Sequence, residues 1–314
     1  MPFAMILSHA TCLAKGKSRM ELKGVLVANP TFFNADLSLD LGALKDHVQS
    51  LIQAGVHGLV PCGTTGESPV LTSQERHEVI RTCVEWARPK GLKVIAGCGS
   101  YSTQTVVDLI HHSTDLGADA ALVVTPYYNK PTQSGLLAHY QHIADRAKIP
   151  IVLYHVPGRT GVSFTVDTVE KLWQHPRIIG IKEASGNYAF WLSLAQGLDL
   201  KKKSLLAGDD DAFATIMALG GAGIISATAN VYPSAFVKIY DLACQGKLKE
   251  AFQEQLKIVG LIRAMFLESN PAPVKMALSL IRQSSSQLRL PLVEVSQETR
   301  LVIETQLRQL ELLI

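Results

Sequence analysis

The sequence predicts an α/β fold, a (β/α)8 TIM barrel with an additional C-terminal helical bundle, and three observations predict it. Short β-branched runs alternate eight times with amphipathic segments of helical length from Val25 onward. The polar residues with chemical potential follow these runs and do not precede them, which in a closed parallel barrel collects them at one mouth. After the eighth run the chain carries more helical pattern than a minimal barrel needs.

Taken in order, the expected strands are Val25–Asn29, His57–Pro61, Lys93–Cys98, Ala121–Thr125, Ile151–His155, Ile178–Glu183, Ser204–Gly208 and Gly223–Ala227. The helices between them carry start and stop signals. Asp40 opens a segment whose Leu44, Val48, Leu51 and Ile52 share one face, and Gly55 stops it. Thr72 and Glu75 have capping-box spacing ahead of Val79, Ile80 and Val84, and Pro89 closes that helix. Asp115-Leu116-Gly117 ends the next one. Lys201-Lys202-Lys203 reads as a solvated loop between a helix and a strand. Segments near Leu248–Leu267, Pro273–Ile281 and Val295–Leu312 make the added bundle, joined through Asn270-Pro271-Ala272-Pro273. The expected organisation is therefore a disordered N-terminal extension over 1–19, the barrel over 20–245 and the helical segment over 246–314.

Composition excludes several classes. Thirty basic and 27 acidic residues are interspersed, for a net charge of +3, so the chain presents no field for nucleic acid or an acidic membrane. No uninterrupted apolar stretch is long enough for a span. In residues 1–19 the positive charges, Lys15, Lys17 and Arg19, come after the apolar run and not before it, which argues against export and leaves an early translation start ahead of Met20, or a short organellar presequence. Five cysteines, at 12, 62, 83, 98 and 244, form no Cys-x-x-Cys pair, which suits a reducing cytoplasm. His111-His112 and His139/His142 lie on expected helices without an obvious third ligand, so no metal is expected. Gly220-Gly221-Ala222-Gly223 precedes a strand and reads as close backbone packing, not as a phosphate cradle.

The candidate nucleophile is Lys182, at the end of the apolar strand Ile178-Ile179-Gly180-Ile181-Lys182. A desolvated lysine amine can attack a ketone and form a Schiff base. Alone, Ile-Lys-Glu more often marks a strand leaving the core with its lysine in water. Its company tips the balance. Gly63-Thr64-Thr65-Gly66-Glu67 offers two hydroxyls and successive backbone N–H groups that suit a carboxylate. Tyr154, one strand before Lys182, places a phenol for the proton transfers that iminium formation requires. Arg159, in the turn Val156-Pro157-Gly158-Arg159-Thr160-Gly161, holds a planar fork suited to a second carboxylate. Tyr127-Tyr128 are adjacent aromatics that cannot both face one core, so at least one is expected to meet another chain.

These motifs, Gly-Thr-Thr-Gly-Glu-Ser, Thr-Pro-Tyr-Tyr-Asn, Tyr-x-Val-Pro-x-Arg-Thr-Gly and Ile-Gly-Ile-Lys-Glu-Ala, appear in order, and from about Glu21 onward the chain resembles the dihydrodipicolinate synthase and N-acetylneuraminate lyase superfamily of pyruvate-dependent class I aldolases. The resemblance implies a Schiff base between Lys182 and pyruvate. It implies that Thr64 and Thr65 hold the pyruvate carboxylate, and that Tyr154, Thr64 and a neighbouring subunit's Tyr128 relay protons. Arg159 would bind the carboxylate of L-aspartate 4-semialdehyde, and Gly208 and Ile225 would line the pocket through backbone groups. The implied reaction is an aldol condensation of these two substrates, followed by cyclisation, in lysine and diaminopimelate biosynthesis. No cofactor or metal is implied. A homo-oligomer is, most often a tetramer built as a dimer of dimers with Tyr127 and Tyr128 at the tight dimer interface.

Two departures from the family pattern stand out. His155 occupies the place of a common asparagine and is expected to retune the pocket. At the family's lysine-feedback site the matching positions are Ser73, Arg76, Tyr101 and Thr105, without the usual glutamate, which implies weak or absent inhibition by lysine. Two rivals remain at this level: an aldolase of the same superfamily acting on sugar-derived 2-keto acids, against which Arg159 argues, and a non-catalytic barrel that senses keto acids, in which some of Lys182, Tyr154 and Thr64 would be lost.

Overall fold

The computed structural model describes residues 20–313; the expected extension over 1–19, with Cys12, lies outside the described residues. Eight parallel strands close into one barrel in sequence order: β1 Gly24–Val27, β2 Gly58–Leu59, β3 Lys93–Gly97, β4 Ala120–Val124, β5 Ile151–His155, β6 Ile178–Glu183, β7 Ser204–Ala207 and β8 Gly223–Ser226. β1 pairs with β8 through Leu26↔Ile225 and closes the ring. All eight expected strands are present, two with the same bounds and the rest within three residues at either end.

The helices around the barrel are α1 Leu41–Gln53, α2 Ser73–Ala87, α3 Thr103–Asp115, α4 Gln133–Arg146, α5 Pro157–Thr160, α6 Val166–Trp173, α7 Tyr188–Gly197, α8 Phe213–Ala218 and α9 Pro233–Cys244. Local chemistry sets their ends. The Asp40 side chain accepts from the Ala43 N–H at the start of α1, and both bonds of the Thr72/Glu75 capping box form at α2. The expected glycine packing before β8 is realised at Gly223: with φ at +152°, an added Cβ would lie 2.1 Å from the Gly24 carbonyl oxygen. The basic run before β7 is not wholly solvated. Lys201 and Lys202 are exposed, but Lys203 turns inward and its ammonium donates to the carbonyls of Trp173 and His175.

Apolar side chains separate into two shells. Leu26, Val60, Ile95, Leu122, Val152, Ile179, Leu206 and Ile225 fill the barrel interior, while Val25, Leu59, Ile151, Leu153, Ile178 and Ile181 face the helices. This alternation slips once, and the slip matters. Ile151 pairs with Ile178 but Val152 pairs with Gly180, so β6 carries one extra residue there. The bulge puts both Ile178 and Ile181 on the outer face and returns the next residue, Lys182, to the interior beside Tyr154.

Three further helices, α10 Leu248–Ala264, α11 Ala272–Arg282 and α12 Gln297–Gln309, pack on α8, α9 and each other. The connection between α10 and α11 reaches the mouth of the barrel through Phe266 and Asn270, and Lys275 on α11 forms an ion pair with Glu67 at 2.7 Å with both side chains fully buried. No helix among the described residues is long and apolar enough to cross a membrane.

Candidate active site

A cavity of about 230 Å³ opens at the C-terminal ends of the strands, the end at which barrels of this kind build sites. Lys182 and Tyr154, register partners on β6 and β5, form part of its wall. The Lys182 side chain is only 7 % exposed, and its Nζ lies over the Tyr154 ring, 4.3 Å from the centroid. Among the described residues no carboxylate makes an ion pair with it. The amine is thus sheltered, stacked on a phenol and free of a competing salt bridge.

Thr64 and Thr65 line the same cavity from the β2–α2 turn. Thr65 is buried, and its Oγ1 accepts from Asn270 Nδ2 at 2.9 Å, which leaves the threonine proton available to a guest. Arg159 lies on α5, the one-turn helix into which the expected Val156–Gly161 turn folds; Gly161 ends it with φ at +65°. Arg159 also borders an adjoining cleft of about 300 Å³ with Thr64, Tyr127 and Asn270. Gly208 completes the wall behind Lys182. A Cβ there would meet the Lys182 Cγ at 3.0 Å, the Ala184 Cβ at 2.8 Å and the Glu183 carbonyl at 2.9 Å, so only glycine allows this approach.

Two residues named from the sequence do not line the cavity. Ile225 is fully buried in the barrel interior, and it is Ala227, two residues on, that reaches the wall. Tyr128 points away from its own barrel, 91 % exposed with φ at +69°, while its neighbour Tyr127 turns in and packs edge-on against Tyr101 with ring centroids 5.6 Å apart. Burial and the nearby Tyr101 phenol raise the Tyr127 pKa.

His155 does not face the pocket, contrary to the expectation that it retunes it. Its place on β5 is one residue beyond Tyr154, on the outer face, where Phe164 N–H donates to Nε2 at 3.2 Å; the proton therefore sits on Nδ1, which donates to Glu183 Oε2 at 2.6 Å. Glu183 also accepts from Trp191 Nε1 and Ser185 N. One member of each histidine pair weighed as metal ligands has a protein partner: His111 Nε2 lies 3.0 Å from the Arg146 carbonyl and His139 Nδ1 lies 2.9 Å from Thr103 Oγ1.

Among the cavity residues that sequence reasoning missed, Phe266, Asn270 and Asp209 stand out. Phe266 and Asn270 arrive from the connection between α10 and α11, more than 80 residues beyond Lys182, and nothing local announces them. Asp209 follows Gly208 and could have been found from Gly-Asp-Asp-Asp after a strand. Desolvation raises its pKa to about 6, with Asp211 and Asp210 adding to the effect. A larger hollow of about 530 Å³, between α1 and the end of α11, contains none of the candidate site residues named from the sequence.

Comparison with known proteins agrees with this geometry. The model of the dihydrodipicolinate synthetase family matches residues 21–310. The chain belongs to that family. Within it, a 4-hydroxy-tetrahydrodipicolinate synthase of Methanoculleus marisnigri is 43% identical over 277 residues, 88% of this chain and 94% of the relative. One from Gluconobacter oxydans is 42% identical over 291 residues, 93% of this chain and 97% of the relative. Among solved structures, the dihydrodipicolinate synthase of Acinetobacter baumannii complexed with pyruvate has a TM-score of 0.90 at 38% identity, covering 93% of this chain and 99% of that one. The Thermotoga maritima dihydrodipicolinate synthase gives 0.91 at 35% identity, covering 94% and 100%. The family match therefore extends over nearly the whole described chain, the three added helices included.

Proposed function

We propose that this member of the dihydrodipicolinate synthetase family condenses pyruvate with L-aspartate 4-semialdehyde and cyclises the product to 4-hydroxy-tetrahydrodipicolinate, as a lyase of lysine and diaminopimelate biosynthesis. The observation that carries the reading is the sheltered Lys182 amine stacked on Tyr154 in a cavity walled by Thr64, Thr65, Arg159 and Gly208. Lys182 Nζ attacks the pyruvate ketone carbon, and the carbinolamine loses water to give an imine. Loss of a methyl proton converts the imine to an enamine, whose carbon attacks the aldehyde. The amine of the second substrate then displaces Lys182 as the ring closes, which regenerates the enzyme.

Thr64 and Thr65 hold the pyruvate carboxylate, and Arg159 takes the carboxylate of the semialdehyde. Tyr154 and Thr64 carry protons, with the partner subunit's Tyr128 completing the relay. An outward, 91 % exposed tyrosine supports that last role, since it can act only in another chain. The assembly is then a homo-oligomer, a tetramer with Tyr127 and Tyr128 at its tight interface, working in the cytoplasm, where the thiols of Cys62, Cys83, Cys98 and Cys244 stay reduced. Lysine inhibits weakly or not at all: at the feedback positions Arg76 supplies a buried cation and Thr105 no charge, so a titration with half-inhibition at low lysine would refute this.

The decisive experiment is borohydride reduction in the presence of pyruvate, followed by mass spectrometry of peptides. An adduct on Lys182 is expected, together with turnover of aspartate semialdehyde in preference to N-acetylneuraminate. An unmodified Lys182 in folded protein removes the mechanism.

A further inference from the structure

The turn that carries Thr64 and Thr65 is held from outside the barrel. Glu67, which ends it, has left-handed backbone with φ at +52°, a conformation that a non-glycine residue keeps only when its surroundings enforce it. Its N–H donates to the Thr64 carbonyl at 3.1 Å, so Glu67 cannot move without moving that peptide. Its carboxylate is fully buried and faces the C-terminal segment. Oε1 accepts from Lys275 Nζ on α11 at 2.7 Å, and Oε2 accepts from the Arg289 N–H at 3.1 Å. Lys275 is itself fixed: its Nζ also donates to the Gln287 carbonyl and lies over the Phe33 ring, 4.5 Å from the centroid. Burial lowers the pKa of Lys275, and Glu67 opposes that shift.

We propose that the buried Glu67–Lys275 pair positions the dithreonine turn for the carboxylate of a 2-keto acid, so that the C-terminal helices set the enzyme's hold on its first substrate. The proposal rests on the Schiff-base reading above. Replacing a buried ion pair by apolar side chains of similar volume often costs no stability, because desolvating two charges offsets much of their attraction. What the pair adds is direction. It pins the carboxylate of the residue bonded to the Thr64 peptide, and a shift of about 1 Å in a binding group far from the chemistry can cost on the order of 100-fold. Arg159, which takes the second substrate, stands on α5 and is anchored separately, where Thr160 Oγ1 lies 3.1 Å from the Val162 carbonyl and 3.3 Å from that of Val156, sharing its one proton between them. The two substrates should therefore respond differently.

The test compares the full-length enzyme with Lys275→Met and with Glu67→Gln, the milder variant that keeps the fold if the first does not. Pyruvate is titrated by borohydride trapping of the Lys182 adduct, and kcat and both KM values are measured well below each melting temperature. For Lys275→Met the half-saturating pyruvate concentration is expected to rise on the order of tenfold, with Glu67→Gln rising less and kcat falling alongside because Thr64 also relays protons, while the KM for aspartate semialdehyde changes less than about threefold. A lower melting temperature or lower kcat with unchanged half-saturation by pyruvate reduces the pair to structural support and overturns the proposal. Wild-type protein that traps no pyruvate overturns the Schiff-base reading and this proposal together.

Discussion

On the inner face of β5 and β6, Tyr154 stands beside Lys182; one residue on, on the outer face, His155 stands beside Glu183. Both pairs join an aromatic ring to a charged side chain on the same two strands, and both are buried. They differ in what is left over. The outer pair is closed: Glu183 accepts from His155, Trp191 and Ser185, and His155 spends both ring nitrogens. The inner pair is open, with an amine that makes no ion pair among the described residues and a phenol facing a cavity. Burial alone does not make a site, since polar groups that satisfy one another in the interior contribute stability and specificity while only those with unspent capacity can bind and react.

The largest effect expected from this contrast is at the inner face. Lys182→Ala should abolish the reducible adduct and lower kcat on the order of 10⁴-fold or more, while the urea midpoint reports a stability change under about 1 kcal/mol. Tyr154→Phe keeps the ring under the amine and removes only the phenol oxygen, so turnover should fall about 10²- to 10³-fold with the fold intact. Full activity in the phenylalanine variant would show that the proton relay runs elsewhere.

The outer face should break in the opposite way. Glu183→Ala strands the His155, Trp191 and Ser185 donors in a dry environment, and the loss should be about 3 kcal/mol or more in urea denaturation. Turnover per folded molecule should stay within about threefold of wild type. If that variant instead kept its stability and lost activity, the outer pair would belong to the chemistry.

The difference between the two faces was only partly legible in the sequence. Eight strands, the Thr72/Glu75 capping box and the added helices could be read because they depend on local periodicity and caps. The direction of Lys182 could not. Strict alternation from the inward Ile179 would send Lys182 outward with the histidine, and it is the bulge at Ile178–Gly180 that turns it in. Bulges depend on how two strands pair, not on either one alone. The same limit hid Asn270, whose bond to Thr65 spans 205 residues, and the inward turn of Lys203, in which a residue from a charged run finds carbonyl partners across the fold. It also explains His155: its identity was visible but its facing was not.

The smallest expected effect sharpens the comparison by titration. Asp209 lines the inner cavity, and burial with the neighbouring Asp211 and Asp210 raises its pKa to about 6, against an ordinary value of 3.8. The outer-face carboxylate of Glu183 has three donors, whereas desolvation favours the neutral form of Asp209. The native state therefore binds more protons than the unfolded chain between about pH 4 and 6, so this group's contribution to stability is full below the lower value and is lost as pH rises through the upper one. Because Asp209 keeps some contact with solvent, the loss should be on the order of 1–2 kcal/mol after screening. Asp209→Asn cannot ionise. Its stability relative to wild type should climb between pH 4.5 and 7 and then level off. Parallel stability curves for the two proteins across that range would mean that the inner face is as well satisfied as the outer one, and the contrast between them would have to be rebuilt on shape alone.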